Sequence, residues 1–120
     1  MDYVIKSSPA ILYNFVSTPQ GLAQWFADGV EMKKGEYFFH WEGYVEKANI
    51  LIQDGDELFR FRLEDMDDEE YIEFKITKSE ITGDTILIIT DFAEPDEIPI
   101  QKRVWDSQID MLVSSVGGRN

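Results

Sequence analysis

A change of period in the apolar pattern constrains this chain more than any other feature. From Val30 to Phe92 apolar residues tend to recur at every second position; from Ile98 to Val116 they recur every three to four. Tyr37, Phe39 and Trp41 alternate with Phe38, His40 and Glu42. Val45 to Gln53 reads as a further strand, closed by Asp54-Gly55-Asp56. In Leu58 to Leu63, Phe59, Phe61 and Leu63 share one face, and Arg60 and Arg62 the other. Tyr71 to Thr77 places Ile72, Phe74 and Ile76 opposite Glu73 and Lys75. Thr85 to Phe92, introduced by Thr82-Gly83-Asp84, is the most apolar strand. Short strands joined by turns predict an antiparallel meander with one wet face.

The closing segment predicts a long helix. Asp96 and Glu97 suit its positive end, Pro99 is tolerated in the first turn, and Gly117-Gly118 ends it. At about 100° per residue, Ile98, Trp105, Ile109, Leu112 and Val116 form one stripe. Gln101, Gln108 and Ser115 border that stripe, whereas Arg103, Asp106, Asp110 and Ser114 lie on the far side, towards solvent. Ahead of the meander, Tyr3 to Ser7 is β-prone and stops at Ser8-Pro9, a helix start. Ile11, Leu12, Phe15 and Val16 give the first short helix its stripe. Thr18-Pro19 repeats the start signal, with Leu22, Trp25 and Phe26 as the apolar face of a second. A one-sided sheet and a matching helical stripe pack together, which makes the chain α+β.

The 120 residues are expected to form one domain, 1–120, with a radius of gyration of about 14 Å. Their 43% apolar and 13% aromatic content supports a real core. Twenty-four acidic against 11 basic residues give a net charge of −13, which repels phosphodiester backbones and anionic lipid. Nucleic acid is therefore not an expected partner. No run of eighteen apolar residues suggests a membrane span, and the opening Met1-Asp2-Tyr3-Val4-Ile5-Lys6 lacks a signal-peptide layout, so a cytoplasmic location is expected. The absence of cysteine removes thiol chemistry and cysteine-ligated zinc.

Thr18-Pro19-Gln20-Gly21-Leu22 leading to Trp25-Phe26, together with the Trp105…Leu112 helix, resembles the START-like superfamily. Phe39-His40-Trp41-Glu42-Gly43, Thr90-Asp91-Phe92-Ala93 and Trp105-Asp106-Ser107-Gln108-Ile109 are similar to a bacterial single-domain branch of the group related to activators of heat-shock protein ATPase. The resemblance covers essentially the whole chain. It implies a helix-grip fold: a curved antiparallel sheet wrapped around the C-terminal helix, with two short helices after the first strand. Many relatives hold hydrophobic molecules between sheet and helix, some are cyclases or hydrolases, and others act on a chaperone. The eukaryotic chaperone activators carry a second domain, and none is expected in this chain.

Candidate chemistry is sparse. His40, the sole histidine, alternates with Phe39 and Trp41 and so faces away from them; no partner or nucleophile elbow accompanies it. Glu64-Asp65-Met66-Asp67-Asp68-Glu69-Glu70 reads as a solvated hairpin loop without the glycine and spaced glutamate of a calcium loop. Asp106 and Asp110 have Lys102 and Arg103 as basic company. No catalytic residue, metal or cofactor is assigned. Trp25, Phe26, Phe39, Trp41, Phe59, Phe61, Phe74 and Trp105 are expected to converge between sheet and helix with Ile109 and Leu112. They form either a packed core or the wall of a cavity for a small hydrophobic molecule, with Gln101 and Gln108 as polar orienters. The leading expectation is non-catalytic binding of such a ligand. The alternatives are an interaction module meeting a basic protein through the acidic surface, and a cyclase- or hydrolase-type enzyme. Monomer and homodimer both stay open, the latter through Val113 or the outer face of the opening strand.

Overall fold

Seven antiparallel strands form one sheet in the computed structural model, which describes residues 1–117; the expected stop at Gly118 lies outside the described residues. The strands are β1 (Asp2–Ile5), β2 (Gly29–Lys33), β3 (Glu36–Trp41), β4 (Tyr44–Asp54), β5 (Leu58–Leu63), β6 (Ile72–Lys78) and β7 (Thr85–Thr90). Their order is β1-β7-β6-β5-β4-β3-β2. The β2–β7 run is therefore a simple meander, and β1 closes it by pairing with β7, Tyr3 opposite Leu87. Helices α1 (Pro9–Ser17) and α2 (Pro19–Leu22) carry the chain from one edge of the sheet to the other. Helix α3 (Ile98–Val116) follows a single 3-10 turn at Pro95–Glu97. This is the helix-grip arrangement. The radius of gyration is 14.1 Å, matching the value expected from chain length.

Local chemistry explains the elements. The Ser8 hydroxyl accepts from the Ile11 amide and opens α1, with Pro9 in its first turn. Thr18 ends α1 and caps α2, accepting from the Gly21 amide at 2.9 Å. Gly21 packs so tightly on α1 that an added Cβ would stand 2.6 Å from the Phe15 Cα and collide with the Asn14 carbonyl. In the β2–β3 hairpin Lys34 and Gly35 both have positive φ, 53° and 80°, as a two-residue primed turn requires.

The inner face carries Tyr37, Phe39, Phe59, Phe61, Ile72, Phe74, Ile76, Leu87 and Ile89, all buried. Against them lie Trp105, Ile109 and Leu112 of α3, and Leu12 and Val16 of α1. Three expectations need correction. Trp25 and Phe26 lie beyond α2, in turns whose amides reach back to the Leu22 carbonyl. Ile98 shares the angular phase of the α3 stripe but is 52% exposed, because it sits at the helix start where it forms a cleft wall. Val113 is half-buried against the core; the exposed apolar residues of α3 are Ile98, Ile100, Val104 and Met111. A bulge at Leu51 interrupts the β4–β5 register and turns Ile52 towards the Arg60 side.

Candidate functional site

The aromatic residues singled out from the sequence do converge, and they touch one another. Phe26 lies at the centre, with ring centroids 5.1 Å from Phe39, 5.6 Å from Trp25 and Trp41, 5.8 Å from Phe61 and 5.9 Å from Trp105. Phe74 stands 5.6 Å from Trp25 and 5.9 Å from Phe61 and Trp105. Phe59 completes the row against Phe61 at 5.6 Å. These are the separations of packed aromatic pairs. The rings themselves occupy the space between sheet and helix. Trp41 alone among the eight is only half-buried, at the end of β3.

Two clefts border α3, one beside this aromatic cluster and one at the start of the helix. One cleft of about 340 Å³ runs between the end of β3, the segment 23–28 and α3. Trp25, Phe26, Trp41, Gln108 and Met111 are among its walls. Here the Trp41 indole donates to the Phe26 carbonyl at 3.1 Å, and Gln108 Nε2 points at the same oxygen from 3.5 Å. Four of the residues expected to meet a ligand thus share one cleft. The second cleft, of about 430 Å³, lies where β7 runs out and α3 begins, lined by Ile89, Asp91, Phe92, Ile98, Gln101 and Lys102 among others. Phe39, Phe59, Phe61, Phe74, Trp105, Ile109 and Leu112 line neither cleft.

Polar groups bordering the α3 stripe hold the helix in place. Gln101 Nε2 donates to the Phe92 carbonyl at 2.8 Å. One turn later, Trp105 Nε1 donates to Asp91 Oδ2 at 3.0 Å, while Asp91 Oδ1 accepts the Phe92 amide at 2.8 Å. Burial pushes the Asp91 carboxyl above its ordinary value, and these two donors only partly offset that. Ser115 reaches the Gln24 carbonyl at 3.3 Å. The sequence marks Asp91 only as part of Thr90-Asp91-Phe92-Ala93; its role emerges from α3 packing against the end of β7.

The remaining candidates fall elsewhere. His40 is on the outer face, 2.7 Å from Glu31, as strand parity requires. Asp106 is not simply solvated: it accepts the Tyr3 hydroxyl at 2.7 Å, and this bond, more than nearby Lys102, holds its carboxyl below the ordinary value. Asp110 is exposed. The acidic loop is exposed except at Met66 and Glu70, with Met66 packing towards the core. Glu46, facing inward near that loop, is pushed up to about 7, by burial first and then by Asp65.

A curved antiparallel sheet gripping a C-terminal helix defines a helix-grip protein. A family model described as a START-like superfamily domain matches residues 1–118. The chain belongs to the START-like superfamily. A Bacteroides fragilis protein solved by solution NMR is 35% identical over 100% of this chain and 90% of its own, with a TM-score of 0.69. The Aha1 dimer from Colwellia psychrerythraea is 16% identical, covering 97% of this chain and 92% of its own, at a TM-score of 0.78. DynU16, from the dynemicin biosynthetic locus, is 17% identical over 98% of this chain but 46% of its own, at 0.76. The last two likenesses show a shared fold. None of the curated proteins compared with the chain matches it.

Proposed function

We propose that this START-like domain binds a small hydrophobic molecule, without catalysing its conversion, in the cleft between Trp41, segment 23–28 and α3. The supporting observation is the meeting of Trp41, Phe26, Trp25 and Gln108 on one opening of about 340 Å³. That volume lies within the range of small-molecule sites, and its walls combine aromatic faces with a few polar groups. Because the deeper rings already pack together, the ligand rests on the partly exposed edge of the cluster, at Trp41. Expulsion of water from the half-exposed face of Trp41 supplies affinity, and the free carboxamide oxygen of Gln108 supplies orientation.

The test begins with native and then denaturing mass spectrometry of freshly purified protein, which reveals any retained small molecule. Titration with naphthol, a neutral aromatic probe, follows by calorimetry. Saturable binding that Trp41→Ala weakens roughly tenfold supports the reading, since truncating an aromatic anchor costs more than about 1 kcal/mol. Equal binding by wild type and variant, or none, overturns it.

A second reading concerns assembly. Ile100, Val104 and Met111 are exposed and lie on one face of α3, at spacings of four and seven. Helix α3 carries Lys102, Arg103, Asp106 and Asp110 and is therefore neutral, in a chain of net charge −13. We infer that this face meets a second copy, since a helix without net charge adds no repulsion of its own to the contact. Sedimentation should show a dimer that Val104→Glu dissociates; a monomeric wild type overturns the inference.

A further inference from the structure

The geometry points to a second binding site, in the cleft between the end of β7 and the start of α3, for an organic ammonium ion with a short apolar body. The cleft has a volume of about 430 Å³ and is distinct from the one lined by Trp41. Asp91 supplies its charge. Its two oxygens accept the Trp105 indole and the Phe92 amide, both neutral donors, which aim the carboxylate without neutralising it. Among the described residues no lysine, arginine or amino terminus lies within ion-pair distance of Asp91. Lys102, on the cleft wall, instead directs its ammonium to Asp106 at 3.4 Å.

A partly buried carboxylate without a counter-ion is costly, and the structure leaves a space beside it for one. The surroundings favour a cation there. Glu70 adds negative potential at Asp91, and Glu94, Asp96 and Glu97 flank the segment leading into α3. Against them stand the roughly half-unit positive charge at a helix start, the Lys102 ammonium already engaged by Asp106, and the Met1 amino terminus, which also lines the cleft but is bound to the Ile89 carbonyl at 3.1 Å and lies 3.9 Å from Asp2. The apolar body has its own surface: Ile89, Phe92 and Ile98 line the same cleft, and Phe92 and Ile98 are exposed to it without a covering element. The exposure of Ile98, anomalous for a residue in phase with the core stripe, is accounted for by this role.

The test uses hexylammonium, hexanol and methylammonium as probes of the intact chain, titrated by calorimetry near neutral pH. Hexylammonium should bind saturably and at least tenfold more tightly than either other probe, since a charge-assisted hydrogen bond and the apolar chain each contribute about one decade. Asp91→Asn retains an acceptor for the Trp105 indole and should abolish the preference for hexylammonium over hexanol. Ile98→Asn, at an exposed position that leaves folding intact, should abolish the preference over methylammonium. Equal binding of hexylammonium and hexanol by wild type, no saturable hexylammonium binding, or preferences unchanged in both variants overturns the proposal. Naphthol titration reads the Trp41 cleft separately, so either site can fail alone.

Discussion

The hydroxyl of Tyr3 donates to Asp106 Oδ1 at 2.7 Å, joining the first strand to the last helix across 103 positions of sequence. The bond helps to fasten α3 beside β1, an edge strand whose one strand partner among the described residues is β7. Tyr3→Phe should therefore lower the thermal midpoint at neutral pH. The Asp106 carboxyl is held below its ordinary 3.8, so its contribution is present above that value and fades as pH falls through the depressed one. Melting curves of wild type and Tyr3→Phe should accordingly converge in acid; a gap that widens there contradicts the assignment.

Phe74 and Ile98 separate angular phase from burial. Phe74 is fully buried among Trp25, Phe61 and Trp105, and Phe74→Ala should cost about 3–5 kcal/mol in urea unfolding. Ile98→Ala should stay within about 0.5 kcal/mol, as expected of an exposed position.

Gly21 is needed for close approach rather than for an unusual φ. Any side chain there meets the α1 backbone at Asn14 and Phe15, which cannot yield as a flexible side chain would. Gly21→Ala should destabilise by about 1–3 kcal/mol despite improving helix propensity, measured by chemical denaturation. Neutral or increased stability would falsify the close packing of α1 on α2.

Glu46 predicts an acid-favoured fold. Between its ordinary 4.5 and about 7, the folded chain retains a proton that the unfolded chain releases. The Glu46 contribution therefore falls as pH rises through that window and is fully present below it. Glu64 and Asp65 face the same carboxyl and act in the same direction. Acidification from about pH 8 to about pH 5 should raise the melting temperature, partly by relieving general repulsion among the acidic residues. Glu46→Gln should show a smaller gain, on the order of a few degrees less. An equal gain in both proteins removes Glu46 as the cause.

Much of this fold was legible because strand parity is a local property. The alternation of Phe39 with His40, and of Phe59 and Phe61 with Arg60 and Arg62, assigns sides before any partner strand is known. Ser8-Pro9 and Thr18-Pro19 mark helix starts for equally local reasons. The candidate site was less legible. The convergence of Trp25, Phe26 and Trp105 followed from pattern, but whether they enclose space or fill it depends on ring separations set by sheet curvature. The role of Asp91 was hidden because its indole partner lies fourteen residues away in sequence.

By itself, the sequence determined the antiparallel sheet, its apolar face, the helical stripe that covers it, and a charge that disfavours polyanions. These follow from period, capping chemistry and composition, which are local or additive. Tertiary structure alone decided that Ile98 is exposed while Trp105, in nearly the same phase, is 4% exposed. It also decided that Asp106 is tied to Tyr3 and that Asp91 borders an open cleft. The physical reason is that exposure and pairing depend on where elements end relative to one another, and no periodicity encodes those distances.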